Sequence, residues 1–501
     1  MIAKKIMVQG TGSNVGKSVI VAALCSYFRQ EGFRVAPFKS QNMSNNSFVT
    51  VSGGEIGRAQ AFQAQVCGTE PTVEMNPILL KPSGEMGAQV IVLGKSVSVM
   101  TTREYHAFQP QLLGVIRDSL GKLSSKYDIL VIEGAGSPAE INLRGFDIAN
   151  MAVAKMAAAP VVLAGDINLG GVFASLVGTL ELLIPEERSF VKALLINKFR
   201  GDISLLKEGL DFLEAKTGKK VLGVLPFIDD LQVAEEDSIP EWKCKSPRAG
   251  ERDKLTIQVL HYPHISNSTD FDSLEKEPDV SLRFLTRVPD SDPLPDALIL
   301  PGTKSTISDL GYIRSFGFDR YVKRCHQARI PIVGICGGYQ MLGTELLDPQ
   351  GVESAVPRAE GLGLLHIRTY FEREKKTVQV RALNIESRHE LAGYEIHAGQ
   401  TNGPGAALPV FQIIEEMGQA TERLDGAKSE DGLVWGTYLH GVFDTAVFRR
   451  DFLNSLRKRR GWAPLDLRET NSLNQISDSL AAMIRKHVDL MILDQILKGI
   501  V

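Results

Sequence analysis

Cysteine is scarce and scattered. Five occur in 501 residues, at Cys25, Cys67, Cys244, Cys325 and Cys336. No two stand at Cys-x-x-Cys or zinc-ligand spacing, which argues against a disulfide framework and suits a reducing compartment. Excess charge is also missing: 56 Lys+Arg against 59 Asp+Glu leaves a net −3. No global field therefore advertises nucleic acid or an anionic membrane surface, and an anionic substrate would have to be met by local cations. Long apolar runs are absent too. Nothing approaches the roughly 18 residues of a membrane span. The run Ile6–Val8, after the two lysines of Met1–Lys5, is too short for a secretory signal. These absences read as a cytoplasmic protein with small-molecule partners, no nucleic acid and no membrane. No internal repeat or low-complexity tract stands out, and nothing in the pattern specifies an oligomeric state.

What is present is length enough for two cores. In the first half, apolar strand candidates at 5–9, 34–38, 129–133, 161–165, 193–197 and 221–225 alternate with helical stretches at 17–31, 58–67, 111–123 and 171–183. That alternation builds a mostly parallel sheet with helices on both faces. The pattern lapses at 229–254, a charged stretch with Pro240 and Pro247 that reads as a linker. Strands resume at 255–260, 297–300 and 330–335, with further β-like runs at 377–383, 393–397, 411–415 and 433–437, which makes a second α/β unit. The expected organisation is 1–228, linker 229–254, 255–446, and a helical extension 447–501 packed on the second unit. Residues 477–492 are its clearest amphipathic stretch.

The first strand runs into Gly10-Thr11-Gly12-Ser13-Asn14-Val15-Gly16-Lys17-Ser18 and then a helix. Strand, glycine loop and helix in that order form a phosphate cradle, because backbone N–H groups and the helix N-terminus face the anion. Gly12, Asn14, Val15 and Gly16 would wrap a nucleotide, Lys17 would meet its β/γ-phosphates, and Ser18 would hold Mg²⁺. The first glycine of the strict pattern would fall at Thr11, so the loop is a variant. Glu133 ends a strand and precedes Gly134-Ala135-Gly136, which suits a second Mg²⁺ ligand. Taken alone it reads better as a carboxylate capping the turn at the strand end. Asn197 ends another strand, where its amide could read a nucleobase or close the turn. Lys39, Gln41 and Asn42 begin a dense polar stretch just after a strand and are candidates for the substrate side.

In the second unit, Ile332–Leu342 reads as strand, sharp turn and helix, with Cys336 on the turn among small residues. This is the geometry of a nucleophile elbow. The following helix N-terminus favours negative charge at sulfur, and the Gly337 N–H is placed for a developing oxyanion. His440, at the end of a late strand, is the best candidate base. Gly302, in Leu300-Pro301-Gly302-Thr303, could give a second oxyanion donor. Cys25 and Cys67 fall at apolar helical positions and read as packing residues. His397 alternates with apolar residues and reads as structural.

These strings resemble known families along nearly the whole chain. Gly-Ile-Cys-Gly-Gly-Tyr-Gln (334–340) and Tyr-Leu-His-Gly (438–441) resemble the nucleophile and base motifs of the class I, flavodoxin-like glutamine amidotransferases. The variant phosphate loop and Val-Ile-Glu-Gly-Ala-Gly (131–136) resemble the dethiobiotin synthetase-like, P-loop ATPases. Fused in this order they are similar to the glutamine amidotransferases of the cobalamin pathway. Residues 37–46, 55–65 and 76–82 look like the branch that amidates carboxylates b, d, e and g of adenosylcobyrinic acid a,c-diamide. The resemblance implies ATP, Mg²⁺ and glutamine, acyl-phosphate activation, and ammonia from a Cys336–His440 glutaminase. It also implies Ser18 and Glu133 as metal ligands, Glu55 as a third, and Asn197 against adenine. One departure stands out: the triad enzymes place glutamate two residues after the histidine, and here that residue is Val442. Two rivals remain at this stage. One is the sister branch that amidates carboxylates a and c. The other is a partitioning-ATPase-like nucleotide switch with a degenerate glutaminase domain.

Overall fold

The structure is a computed structural model that describes residues 3–83, 87–228, 253–289, 293–403, 408–467 and 472–500. The expected linker 229–254 lies outside the described residues except for its last two positions, and so does Cys244.

Six parallel strands form the first sheet, in the order Lys220–Pro226, Val191–Phe199, Val161–Asp166, Lys4–Gly10, Ile129–Glu133, Val35–Phe38. Alternate residues of a strand face opposite sides, and the sequence fills both. Ile6 and Val8 join one apolar cluster with Ile20 and Leu24, while Met7 joins another with Leu112 and Ile116. The strand ends at Gly10 and Glu133 lie side by side, since Val8 pairs with Glu133. A phosphate loop and a carboxylate thereby reach one edge of the sheet, where parallel sheets bind ligands.

The second sheet runs Val280–Leu285, Leu255–Leu260, Ala297–Leu300, Ile332–Ile335, Val434–Thr437, with Ala427–Lys428 as an antiparallel edge. Its register sets Ile335 against Thr437, so Cys336 and the segment leading to His440 leave the same end of the sheet. A third, mixed sheet includes the long strands Arg368–Asn384 and Glu390–Asn402. The separate runs expected at 377–383 and 393–397 fall within these two strands.

Three expectations change. The helix expected at 111–123 is Thr102–Lys126. Its start is fixed by a Thr101/Glu104 capping box, and it continues through Pro110. The strands Gln41–Met43, Ile78–Ser83, Gly87–Val92 and Lys95–Thr101 form a further sheet that was not foreseen. The third change concerns the tail. Helix Ala446–Arg459 does pack on the second unit, through Leu453 and Leu456. Helices Leu473–His487 and Leu490–Lys498 instead return to the first sheet, where Leu480, Ile484, Leu493 and Ile496 share a cluster with Ile6 and Val8. The single stretch 477–492 is broken at Val488–Asp489. There Asp489 donates its N–H to Leu222 O (2.8 Å) and caps the second helix through Met491 N (3.0 Å). Gly223 admits this crossing, since a Cβ there would stand 2.2 Å from His487 O.

Candidate active sites and the junction between them

The phosphate loop turns at Asn14 (φ +59°) and Gly16 (φ +92°), then opens helix Lys17–Gln30. Gly16 is obligatory on two counts: its backbone is left-handed, and a Cβ would meet Asn197 Nδ2 at 2.2 Å. Asn197 Nδ2 donates to Val15 O (2.8 Å), so this amide braces the loop. Lys17 folds back over it, donating to Gly12 O (2.9 Å) and Gly136 O (3.1 Å). Ser18 Oγ donates to Glu133 Oε1 (2.8 Å). Buried Glu133 also takes Lys39 Nζ (3.0 Å) and Gln63 Nε2 (2.5 Å). Burial pushes its carboxyl up, but Lys39, Gln63 and Ser18 outweigh that and hold it below the usual range, ionised. A hydroxyl and an ionised carboxylate converging at a phosphate loop fit a Mg²⁺ ion that keeps phosphate and water as its other ligands.

Of the substrate-side candidates, Lys39 is thus tied to Glu133. Gln41 accepts from Tyr105 OH (2.5 Å), and Asn42 donates to Gln60 Oε1 (2.9 Å). Sequence reasoning assigned no role to Lys198, which pairs with Asp166 (3.0 Å) and donates to Asn14 O (2.5 Å), or to Gln63. Glu55 is a correction. It does not join the metal-binding pair. Its Oε1 accepts from Lys81 and from Ser47 Oγ (2.7 Å), and its Oε2 from Lys375 (2.7 Å). Strand Glu55–Gly57 precedes helix Arg58–Val66, and it is Gln63 on that helix that reaches Glu133.

At the other site, Cys336 carries φ +50° and ψ −109° between strand Ile332–Ile335 and helix Gly337–Leu342. Such a conformation is costly for a side-chain-bearing residue and presents the sulfur at the turn. The turn closes tightly, since a Cβ on Gly338 would stand 1.9 Å from Leu300 O. The turn at Gly302 lies alongside. A Cβ on Gly302 would come within 3.1 Å of His440 Cε1, and one on Gly337 within 3.0 Å of Thr303 N. Both expected oxyanion turns therefore border the sulfur and the imidazole.

His440 is buried, stacks on Tyr394, and lies near enough to Cys336 for the thiol to help raise its pKa. Its Nδ1 meets Asp270 Oδ2 at 2.7 Å, and the other oxygen of Asp270 accepts the Gly441 N–H at 3.0 Å. Burial alone would lower the imidazole pKa, but the Asp270 carboxylate reverses this and raises it to about 10. With Nδ1 held by Asp270, Nε2 faces away from that carboxylate, 3.3 Å from Asn267 Nδ2. Asp270 therefore stands where the missing glutamate would act, while Val442 packs in the core. The sequence reading missed Asp270. The only available signal was the polar run Ser266–Asp270 soon after a parallel strand. His397 is structural, as read: Nδ1 meets Gly399 O at 2.7 Å and the ring stacks on Tyr438.

The two sites meet across a buried polar junction. Asn267 N donates to Asn45 O (3.2 Å), and Ser47 N donates to Asn267 Oδ1 (2.9 Å). Gln379 Nε2 reaches Val49 O (2.6 Å), and Lys304 Nζ reaches Lys81 O (3.1 Å). Burial pushes the Lys304 amine well below its ordinary value. The Lys81–Glu55–Lys375 pairs close the same junction.

Known proteins match both halves. Residues 6–240 match a family model described as the CobQ/CobB/MinD/ParA nucleotide binding domain, and residues 256–448 one described as the CobB/CobQ-like glutamine amidotransferase domain. Three curated relatives bear the name cobyric acid synthase. The protein of Pelotomaculum thermopropionicum is 49% identical, over 98% of this chain and 95% of its own. That of Desulforamulus reducens is 47% identical, over 99% and 98%. That of Sorangium cellulosum is 49% identical, over 99% of each. Among the described residues, no helix is long and apolar enough to cross a membrane.

Proposed function

The chain belongs to the cobyric acid synthase family, and from that premise we propose how its two sites divide one reaction. It is an ATP-dependent glutamine amidotransferase, a carbon–nitrogen ligase of cobalamin biosynthesis. The nucleotide-switch rival falls with that membership. The acceptors are the b, d, e and g carboxylates of adenosylcobyrinic acid a,c-diamide, and the setting is the cytoplasm. The working units are 1–228 and 255–446, with the last two helices counted as part of the first.

Nitrogen is freed at the second unit. The Cys336 sulfur attacks the side-chain amide carbon of glutamine, the Gly302 and Gly337 turns flank the developing oxyanion, and His440 gives the departing nitrogen its proton. An imidazole raised to about 10 is protonated at neutral pH, which suits that donation. Water then hydrolyses the glutamyl thioester.

Nitrogen is captured at the first unit. A carboxylate resists amine attack because oxide is a poor leaving group, so ATP phosphorylates it first. Lys17 and the loop N–H groups bind and orient the phosphates, and Lys17 offsets charge on the transferring phosphoryl group. Ser18 and Glu133 would hold Mg²⁺, which supplies charge neutralisation on the phosphate oxygens when bound. Ammonia displaces phosphate from the acyl phosphate and leaves the amide.

The observation that carries this reading is the Cys336–His440–Asp270 constellation, buried beside a junction that leads to the phosphate loop. The test is Cys336→Ser. Glutamine-driven amidation should vanish while ammonium-driven amidation persists, and Lys17→Ala should lose both. Loss of both in Cys336→Ser would overturn the division.

A further inference from the structure

The edge of the first sheet opposite the phosphate loop carries a groove to which the assigned reaction gives no role. Strand Lys4–Gly10 starts there and, at about 3.3 Å per residue, reaches the loop roughly 20 Å away. Two cavities, of about 500 and 610 Å³, lie side by side and share Lys5 and Ala157. Each has the size of a small-molecule site. The returning tail walls the first cavity with Ile496, Leu497 and Lys498 of helix Leu490–Lys498.

Charge in the groove is of one sign. Lys4, Lys5 and Lys192 line the first cavity and Lys5 and Arg117 the second, and among the described residues no Asp or Glu lines either. Lys498 pairs with Asp494 (2.5 Å). The other four cations form no ion pair and donate no side-chain hydrogen bond among the described residues. In a chain whose acidic residues outnumber its basic ones, 59 to 56, four such cations in one groove stand out. They act on their surroundings too: the Lys219 amine is pushed below its ordinary value, by burial first and then by the charges of Lys192 and Arg188. Cations gather at helix C-termini to meet free carbonyls, and helices Met151–Ala157 and Leu490–Lys498 both end here. Both ends are closed by backbone instead. Past left-handed Ala158 (φ +49°), Ala159 N returns to Ala154 O (2.9 Å), and past Gly499 (φ +69°), Ile500 N returns to Gln495 O (3.0 Å). The helix ends therefore do not engage the four cations.

Apolar side chains complete the lining, Ile496 and Leu497 in one cavity, Leu120 and Met156 in the other. Two recessed cavities suit a compact solute, whereas a membrane or a duplex offers its charge on a broad face. We propose that this groove binds a small organic polyanion, with two or more phosphate or carboxylate groups on an apolar body, and that the bound anion pins the tail to the strand that carries the phosphate loop. The oxyanion groups meet Lys4, Lys5, Lys192 and Arg117, and the body lies against the apolar lining. Ile496 of the tail already shares a cluster with Ile6 of that strand, so a ligand held between them fastens an existing contact.

The test uses the full chain with its phosphate loop filled by Mg²⁺ and a non-hydrolysable ATP analogue. Pyrenetetrasulfonate, a fluorescent polyanion with an apolar body, is titrated in and followed by anisotropy. Binding should saturate and survive about 0.15 M sodium chloride. Lys5→Gln and Lys192→Gln should each weaken it about tenfold, the scale of one charge-assisted contact, while glutamate formation and ammonium-driven amidation stay unchanged and show that the variants fold. Hydrogen exchange over residues 490–498 should slow when the probe binds. Displacement by inorganic tripolyphosphate supports a phosphate ligand, and displacement by benzenehexacarboxylate a carboxylate one; displacement by neither overturns the site. Equal affinity in both variants, or loss of binding in that salt, reduces the groove to solvated surface charge. Unchanged exchange in the tail overturns the pinning.

Discussion

Val442 packs 1% exposed in the hydrocarbon core where related glutaminases carry a carboxylate, and Asp270 supplies that charge from a different element. In the proposed reaction, the pair His440–Asp270 sets the protonation state of the glutaminase. The raised imidazole is charged up to about pH 10. Its contribution to stability is therefore complete below its ordinary value of 6.5 and disappears as pH rises through about 10. Asp270→Asn keeps the shape and removes the charge. We expect glutaminase kcat to fall about 10²–10⁴-fold, as when a histidine base loses its orienting carboxylate. Ammonium-driven amidation should be untouched, and the alkaline limit of glutaminase should move to lower pH. Measured kcat–pH profiles decide this: an unmoved limit would remove Asp270 from the triad. Cys336, His440, Lys17 and Ser18 were legible in the sequence because each sits in a short motif whose local turn explains its residues. Asp270 was not, because an orienting carboxylate needs only to arrive in space, and here it arrives from the loop after strand Leu255–Leu260.

Elements follow the same division between local and distant information. Every strand of the first sheet was legible from apolar runs between glycines and helical stretches, since a strand buried on both faces declares itself. The sheet built from Gln41–Met43, Ile78–Ser83, Gly87–Val92 and Lys95–Thr101 was not. Its outer strand Lys95–Thr101 is largely exposed and polar, so it lacks that signature. The tail shows a further limit. Amphipathic spacing in Leu473–His487 reveals that one face is buried but not which surface covers it. The answer is helix Lys17–Gln30, the one that follows the phosphate loop, joined on its rim by Arg485 with Glu31 (2.9 Å). Ile484 is fully buried in that contact. Ile484→Ala should cost about 2–5 kcal/mol, and the loss should fall on the nucleotide-binding half. Calorimetry with and without ATP, beside a glutaminase assay, tests the assignment. The ATP-sensitive transition should drop in Tm while glutamate formation survives at temperatures below it. A loss confined to glutaminase would return the tail to the second unit.

On the scale of the whole molecule, Glu55 is the fastening between the halves. It and Lys81 come from the first unit, while Lys375 and Lys304 come from the second. A glutamate in a metal site would have been interchangeable with other ligands, but one enclosed by lysines from both units couples their positions. Burial acts to raise its carboxyl, yet Lys375 and Lys81 prevail and hold it well below the ordinary 4.5. For a depressed carboxylate, stability is present above the unfolded value and fades as pH falls beneath it. The junction should therefore loosen progressively below about pH 4.5. Glu55→Gln should loosen it at neutral pH, because buried Lys81 and partly exposed Lys375 lose their counter-charge, a change worth up to about 3–5 kcal/mol, the scale for a buried pair. The halves keep their own cores, so each partial reaction should continue: glutamate from glutamine, and amide from ammonium. Only the transfer between them needs the junction closed. Small-angle scattering should show a larger radius of gyration for Glu55→Gln at pH 7, matched by the unaltered chain only in acid, together with free ammonia accumulating during glutamine turnover. Identical scattering and full coupling in the variant would reduce this cluster to local packing and leave the remaining hydrogen bonds of Asn267, Gln379 and Lys304 to hold the two sites in register.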